Sequence, residues 1–492
     1  MSRTLIHLRV AMVACAMAAL LVGCGGASST RAPMPTSTPP GVYVATVTNR
    51  SPKNSGPTYL TVSALNPDTG AVRWRHREEW IPFHVSDVKP VVAAGFGYMP
   101  VMAGSAPVVA AGVVYMVGDT NTTSTDPAHP VSGMLLALRA SDGKQLWRVD
   151  VGAFASQPVV DGDTIYISAE PNMSKSSAKE VYALNRSDGS VRWKTEISKT
   201  NTTIDTLVLS QGRLFMSANQ NCFDSCYAAY LFALDTASGH IIWQRSFSGN
   251  INIQTPTLDD GVVYTQILNG GGSFAFSAVD GRQLWHRDTG IFLVSDGVAY
   301  TDKALSATDP QRSDLAKYAV VALDGKTGVE RWQAPTYIEP TVLAVVGGKV
   351  IVSSGTPNPQ ASQSASSYLG VMQALDASNG KQLWSAQQQA YGFISSAARG
   401  TFYLIISPTY VGGRQQVAAL QTVSGDVLWR EAIGAVTPGV MQHDFGVLSP
   451  TGALFCLASP NFLYAIRTSD GHTLWTANLT ASGQIVGATI VE

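Results

Sequence analysis

Nine tryptophans close one repeated phrase, Gly-x-x-x-Trp: Trp74, Trp147, Trp193, Trp243, Trp285, Trp332, Trp384, Trp429 and Trp475. A flat indole can stack on a flat cofactor such as a quinone, so the phrase first raises a question of chemistry. One central cofactor would use one or two such rings, however, never nine. The remaining reactive residues are sparse. Five cysteines occur, at Cys15, Cys24, Cys222, Cys226 and Cys456, none adjacent, and there is no C-x-x-C-H. Eight histidines are scattered without H-x-x-x-H or H-E-x-x-H spacing, and no G-x-S-x-G nucleophile elbow is present. The Gly-rich "NGGGS" at 269–273 opens no helix, so it reads as a loop or bulge rather than a phosphate cradle. Acids such as Asp142, Asp188 and Asp470 sit in Asp-Gly turns, where turn geometry explains them without catalysis.

The elements that would position such residues are themselves repetitive. Ala-Leu or Ala-Ile lies ten residues before the tryptophan in eight units, as in Ala137, Ala183, Ala374 and Ala465; Ala278 to Trp285 reads as a shortened seven. Periods of 42–52 residues indicate propellers or solenoids. In the third unit, strands are expected at 157–160, 164–169, 180–185 and 191–197, with Asp161-Gly162 and Asp188-Gly189 as turns. Tyr115, Tyr166, Tyr264 and Tyr300 recur once per unit, as core packing would require. No stretch carries a helical period. The fold class is all-β: a β-propeller of four-stranded antiparallel blades, with nine repeat units counted.

The phrase "ALDxxxGxxxW" resembles the PQQ-like repeat, a family that includes quinoprotein alcohol dehydrogenases and the outer-membrane assembly lipoprotein BamB. The resemblance covers nearly all of 41–492. It implies a propeller, usually of eight blades, with the tryptophans packed between neighbouring blades. Either nine blades form or one unit is degenerate, the unit ending at Trp285 being the candidate. The strand "QIVGATIVE" at 484–492 is placed to complete the unit that starts at "GVYVAT", 41–46. An enzyme of this family uses a vicinal cysteine disulfide, a Ca²⁺ site of acidic and amide side chains, and an aspartate base. The motifs for these do not carry over, so no catalytic, cofactor-binding or metal-binding residue is assigned, and PQQ and Ca²⁺ enter only under an enzymatic alternative.

The N-terminus reads as a targeting signal. Arg3 and Arg9 precede an apolar stretch, Val10 to Val22, too short to span a bilayer. It ends in Leu21-Val22-Gly23-Cys24, which resembles the lipobox of bacterial lipoproteins, with Cys24 the lipidated residue. The organisation expected is a signal peptide at 1–23, a Ser/Thr/Pro-rich tether at 24–40 and the propeller at 41–492. In that setting Cys222 and Cys226 form a candidate disulfide, provided the loop curls, and Cys456 is a small core residue.

Charge excludes one partner class. Lys plus Arg total 33 and Asp plus Glu 34, with no basic footprint for nucleic acid. Length variation points to another. The strand-two to strand-three connections carry polar inserts at 119–133, 170–180, 301–318 and 355–368, and a long crossover runs from about 75 to 107. Both connection types emerge on one face; the tight turns emerge on the other. Either the decorated face binds, or its loops drift unconstrained. The function expected is a membrane-anchored, extracytoplasmic scaffold that binds protein partners through that face, at the cell surface or in the periplasm, and not an enzyme. The alternative is a PQQ-dependent or related redox enzyme.

Overall fold

The computed structural model describes residues 34–48, 58–80, 106–120, 132–152, 155–170, 178–198, 202–204, 206–220, 228–249, 252–268, 271–305, 318–357, 368–387, 392–398, 400–406, 414–435, 445–459, 462–482 and 484–492. The chain divides into Met1–Met34 and Pro35–Glu492. The second unit is a β-propeller of nine four-stranded antiparallel blades, the fourth extended by a two-residue strand, Thr202–Thr203. Its one described helical element is the 3-10 turn Thr480–Ser482.

Blade 1 is built from both ends of the chain. Gln484–Val491 forms its inner strand, followed outward by Gly41–Val47, Thr58–Leu65 and Val72–Trp80. The closing pair runs antiparallel, with Val42 opposite Ile490 and Val44 opposite Ala488. Blades 2 to 9 then follow in sequence order, at 108–150, 159–198, 208–248, 257–287, 291–336, 341–387, 392–435 and 445–478. Closure across the termini converts two sheet edges into one paired ladder.

The unit ending at Trp285 is a complete blade, not a degenerate one. Its strands are Thr257–Asp259, Val262–Ile267, Gly272–Ser277 and Gln283–Arg287. The apparent shortening came from aligning on Ala278. Ala275 is the residue that faces Trp285, ten positions before it, as in the other eight units. Phe276 stands where those units carry Leu or Ile, and this masked the match.

Burial follows from position in the blade. Middle strands are sandwiched between neighbouring blades, so Thr164–Ala169 is buried throughout. Outer strands face a neighbour on one side only, and Ile241–Ser248 alternates accordingly. The core therefore lies in the seams. Tyr43, Leu60 and Val62 of blade 1 pack with Val114, Met116 and Met134 of blade 2, and Val42 and Leu65 pack with Leu454 and Leu463 of blade 9.

Candidate functional site

In every blade one row of side chains runs across strands two, three and four. Tyr115 pairs with Ala137, which pairs with Trp147. The same row reads Tyr43-Ala64-Trp74, Tyr166-Ala183-Trp193, Phe215-Ala233-Trp243 and Tyr264-Ala275-Trp285 in four other blades. Small alanine lets the two rings meet above it, with centroids 5.9–6.2 Å apart in these five blades. Directly after each alanine the register slips by one residue, as at Ala137/Leu138 and Ala465/Ile466. That bulge turns the outer strand and fixes the spacing of the phrase. Blade 9 carries Cys456 at the aromatic position, opposite Ala465. Burial pushes this thiol well above its ordinary range, so it stays protonated and inert.

The tryptophans are tied into the seams. Each Nε1–H donates to a backbone carbonyl in the next blade, at 2.7–3.2 Å, and Trp475 closes the circuit onto Pro67 of blade 1. Each repeat glycine lies against the ring of the preceding blade's tryptophan. All nine have φ of 67–76°, and a Cβ would fall 3.0 Å or less from that ring. The glycine is thus required twice, for its left-handed backbone and for the ring it admits. One face of every ring is covered by the glycine of the next blade.

The residue that accepts the indole proton carries a second duty. In blades 2 to 9 its own N–H donates to the turn between strands one and two, as Ala140 does to Gly112 and Gly325 to Gly297, both at 2.9 Å. Blade 1 has no such turn, because its strand one is Gln484–Val491 and its strand two is Gly41–Val47, which are not consecutive in sequence. Pro67, which has no N–H, occupies the corresponding position. These bonds also place the one–two and three–four turns on the same face, the trimmed one.

Turn carboxylates on the trimmed face are committed to local hydrogen bonds. Donation from the Ser238 hydroxyl holds Asp235 below its ordinary range, Ser277 and Ser378 do the same for Asp280 and Asp376, and the His472 amide does so for Asp470. Arg331 holds Asp324 lower still. A general base needs a pKa near the working pH, and these groups are shifted the other way.

The opposite face carries a different set. Lys179 and Glu170 form a buried ion pair at 3.8 Å, flanking segment 171–177 in sequence. Beside it, Lys194 bonds Glu180 at 3.1 Å, and the Tyr182 hydroxyl donates to the same carboxylate at 2.5 Å. In blade 4 the Asn219 amide clasps the crossover at Ile253 through bonds of 2.9 and 2.7 Å. In blade 6, burial and nearby Glu339 raise the carboxyl of Asp302. Polar and charged residues at strand ends are the one sequence signal for this set, and residue type alone does not pair them. Most of 119–133, 170–180, 301–318 and 355–368, with Cys24, Cys222 and Cys226, lies outside the described residues. Among the described residues no three His, Cys, Asp or Glu side chains converge to hold a metal. No described helix is long and apolar enough to cross a membrane.

Comparison with known proteins agrees with this frame. The family model for outer membrane protein assembly factor BamB matches residues 60–204, 177–406, 297–440 and 370–491. The tetrathionate hydrolase of Acidithiobacillus ferrooxidans is 25% identical over 372 residues, 67% of this chain and 68% of that protein. BamB of Yersinia pestis is 27% identical over 230 residues, covering 43% of this chain and about half, 51%, of that one. The crystal structure of BamB from Moraxella catarrhalis aligns over 73% of this chain and 92% of that one, at 16% identity and a TM-score of 0.36. With four overlapping matches spanning the propeller, the chain belongs to the BamB family of PQQ-like repeat proteins.

Proposed function

We propose that this chain is an extracytoplasmic lipoprotein, anchored through Cys24, that binds a protein partner with its loop-decorated face. One observation carries the reading. The repeated residues are all consumed by the frame, each tryptophan by a carbonyl and a glycine of the next blade. Between blades the chain varies most in length at the two–three connections and the crossovers. Family membership supports a protein-binding role, since the relatives are named as assembly factors. Cys222 and Cys226, in one such connection, are assigned as a disulfide that stiffens it. No cofactor is needed.

Two experiments test this. Cys24→Ser should move the protein from the membrane fraction to the soluble one; retention in the membrane would refute the anchor. Deleting 121–131 and 358–367 together should leave the thermal transition in place and abolish partner capture. Unchanged capture would refute the face assignment.

A second reading has one observation in its favour, the breadth of the match to tetrathionate hydrolase across two thirds of both chains. It predicts that purified protein consumes tetrathionate. No loss of tetrathionate over buffer would remove it.

A further inference from the structure

The segment before the first strand is not free chain. Residues 35–40 fold back across the trimmed face and strap blade 1 to blade 2. Thr38 Oγ1 accepts from the Gly112 amide at 2.6 Å, in the turn between the first two strands of blade 2. Gly112 has φ of 78°, and a Cβ there would strike the Ser37 carbonyl oxygen at 2.6 Å and Pro35 at 2.7 Å. The Pro39 carbonyl accepts from the buried Tyr43 hydroxyl at 2.9 Å, and the Pro40 carbonyl from the Arg73 guanidinium. Three prolines, Pro35, Pro39 and Pro40, reduce the entropy lost on fixing the strap. The chain therefore leaves the propeller at Pro35, on the trimmed face, beside blade 2. Glu492 lies on the same face, where its carboxylate accepts from the Thr451 amide at 2.8 Å.

We infer that the strap fixes the orientation of the propeller on a lipid surface: the trimmed face is turned to the membrane and the decorated face away from it. The inference rests on lipidation at Cys24. Ten residues lie between Cys24 and Pro35, eleven steps along the chain. They reach at most about 40 Å when fully extended and roughly 17–20 Å as a flexible coil. A loose tether ending at Gly41 would reach about half as far again. Strands of six to eight residues set the two faces roughly 20–27 Å apart. The tether's usual span is no longer than this height, so the exit point decides which face is near the lipid.

The test is energy transfer from the lipidated full chain in phosphatidylcholine vesicles bearing a headgroup acceptor. A fluorescent amino acid replaces Val423 in a trimmed-face turn or Phe462 at the decorated end of blade 9, both exposed. Transfer from position 423 should exceed that from 462 severalfold, and a 30-residue Gly/Ser insertion between residues 34 and 35 should erase the difference. Thr38→Ala with Tyr43→Phe should weaken it. Equal transfer from the two positions, or stronger transfer from 462, would overturn the inference. A chain that does not associate with vesicles refutes lipidation instead. Orientation is then read from the full-length chain coupled through its Cys24 thiol to maleimide-bearing vesicles, with Cys15, Cys222 and Cys226 changed to Ser and Cys456 shielded by burial.

Discussion

Two glycines of blade 7 separate the two demands that the repeat places on glycine. Gly348 and Gly380 have nearly the same backbone angle, φ of 71° and 73°. A Cβ at Gly348 would meet nothing within 4 Å, whereas one at Gly380 would lie 2.8 Å from Trp332 Cδ2. Gly348→Ala therefore carries only the left-handed backbone cost, about 1–2 kcal/mol. Gly380→Ala carries that cost and must also displace a rigid ring in a packed seam, for about 1–3 kcal/mol more. The displaced ring strains the Trp332 Nε1–H bond to the Ala377 carbonyl, now 2.9 Å, a bond contributing about 1 kcal/mol. The double effect totals about 3–6 kcal/mol. Unfolding entropy of about 2.1 cal/mol/K per residue makes each kcal/mol worth roughly 1 °C in a unit of this size. Scanning calorimetry should show a fall of about 1–2 °C for Gly348→Ala and about 3–6 °C for Gly380→Ala. Equal falls would mean that the ring contact contributes nothing, and that the repeated glycine serves the turn alone.

Other outcomes follow from the same seams. Pro67→Ala should be nearly neutral, because blade 1 has no turn for an N–H to reach; Ala140→Pro removes the bond to Gly112 and should cost about 1–3 kcal/mol by denaturant titration. Truncation after residue 483 removes the strand that pairs with Gly41–Val47 and exposes Val42 and Val44, so the product should elute as an expanded or aggregated species. At high pH, burial holds Tyr115 and Tyr300 up at about 12. The unfolded chain loses those protons near pH 10 while the folded chain keeps them, so stability should fall between pH 10 and 12, with tyrosinate absorbance rising only as the protein unfolds. At low pH the sign reverses. The lowered carboxylates of Asp235, Asp280, Asp324, Asp376 and Asp470 stabilise fully above about pH 4 and lose that contribution as the pH falls through their folded values.

The frame was legible in the sequence because each blade solves the same local problem with the same residues. The turn, the bulge and the Ala–Trp pairing all lie within ten positions, so their spacing survives in one dimension. The blade ending at Trp285 shows the limit. Phe276 breaks the Ala-Leu pattern and hides Ala275, although a buried phenylalanine fits that strand position equally well. The meaning of Pro67 was hidden for the opposite reason: it answers an absence in space, the missing turn where the chain ends meet. The strap at 35–40 was hidden by composition, since Pro, Ser and Thr suit a loose tether and a packed one alike. The pairing of Lys179 with Glu170 depends on which strand ends a loop brings together, and nothing in residue type fixes that.

If the decorated face carries the function and the repeat only holds it up, photo-crosslinking in native membranes should find the partner on that face alone. A photoreactive amino acid is placed at Leu268 or Phe462, exposed on the decorated side, or at Val279 or Val423, exposed in trimmed-face turns. Positions 268 and 462 should give a discrete protein adduct, competed by unlabelled chain, and positions 279 and 423 none. A competed adduct from 279 or 423, with none from 268 or 462, would contradict the face assignment.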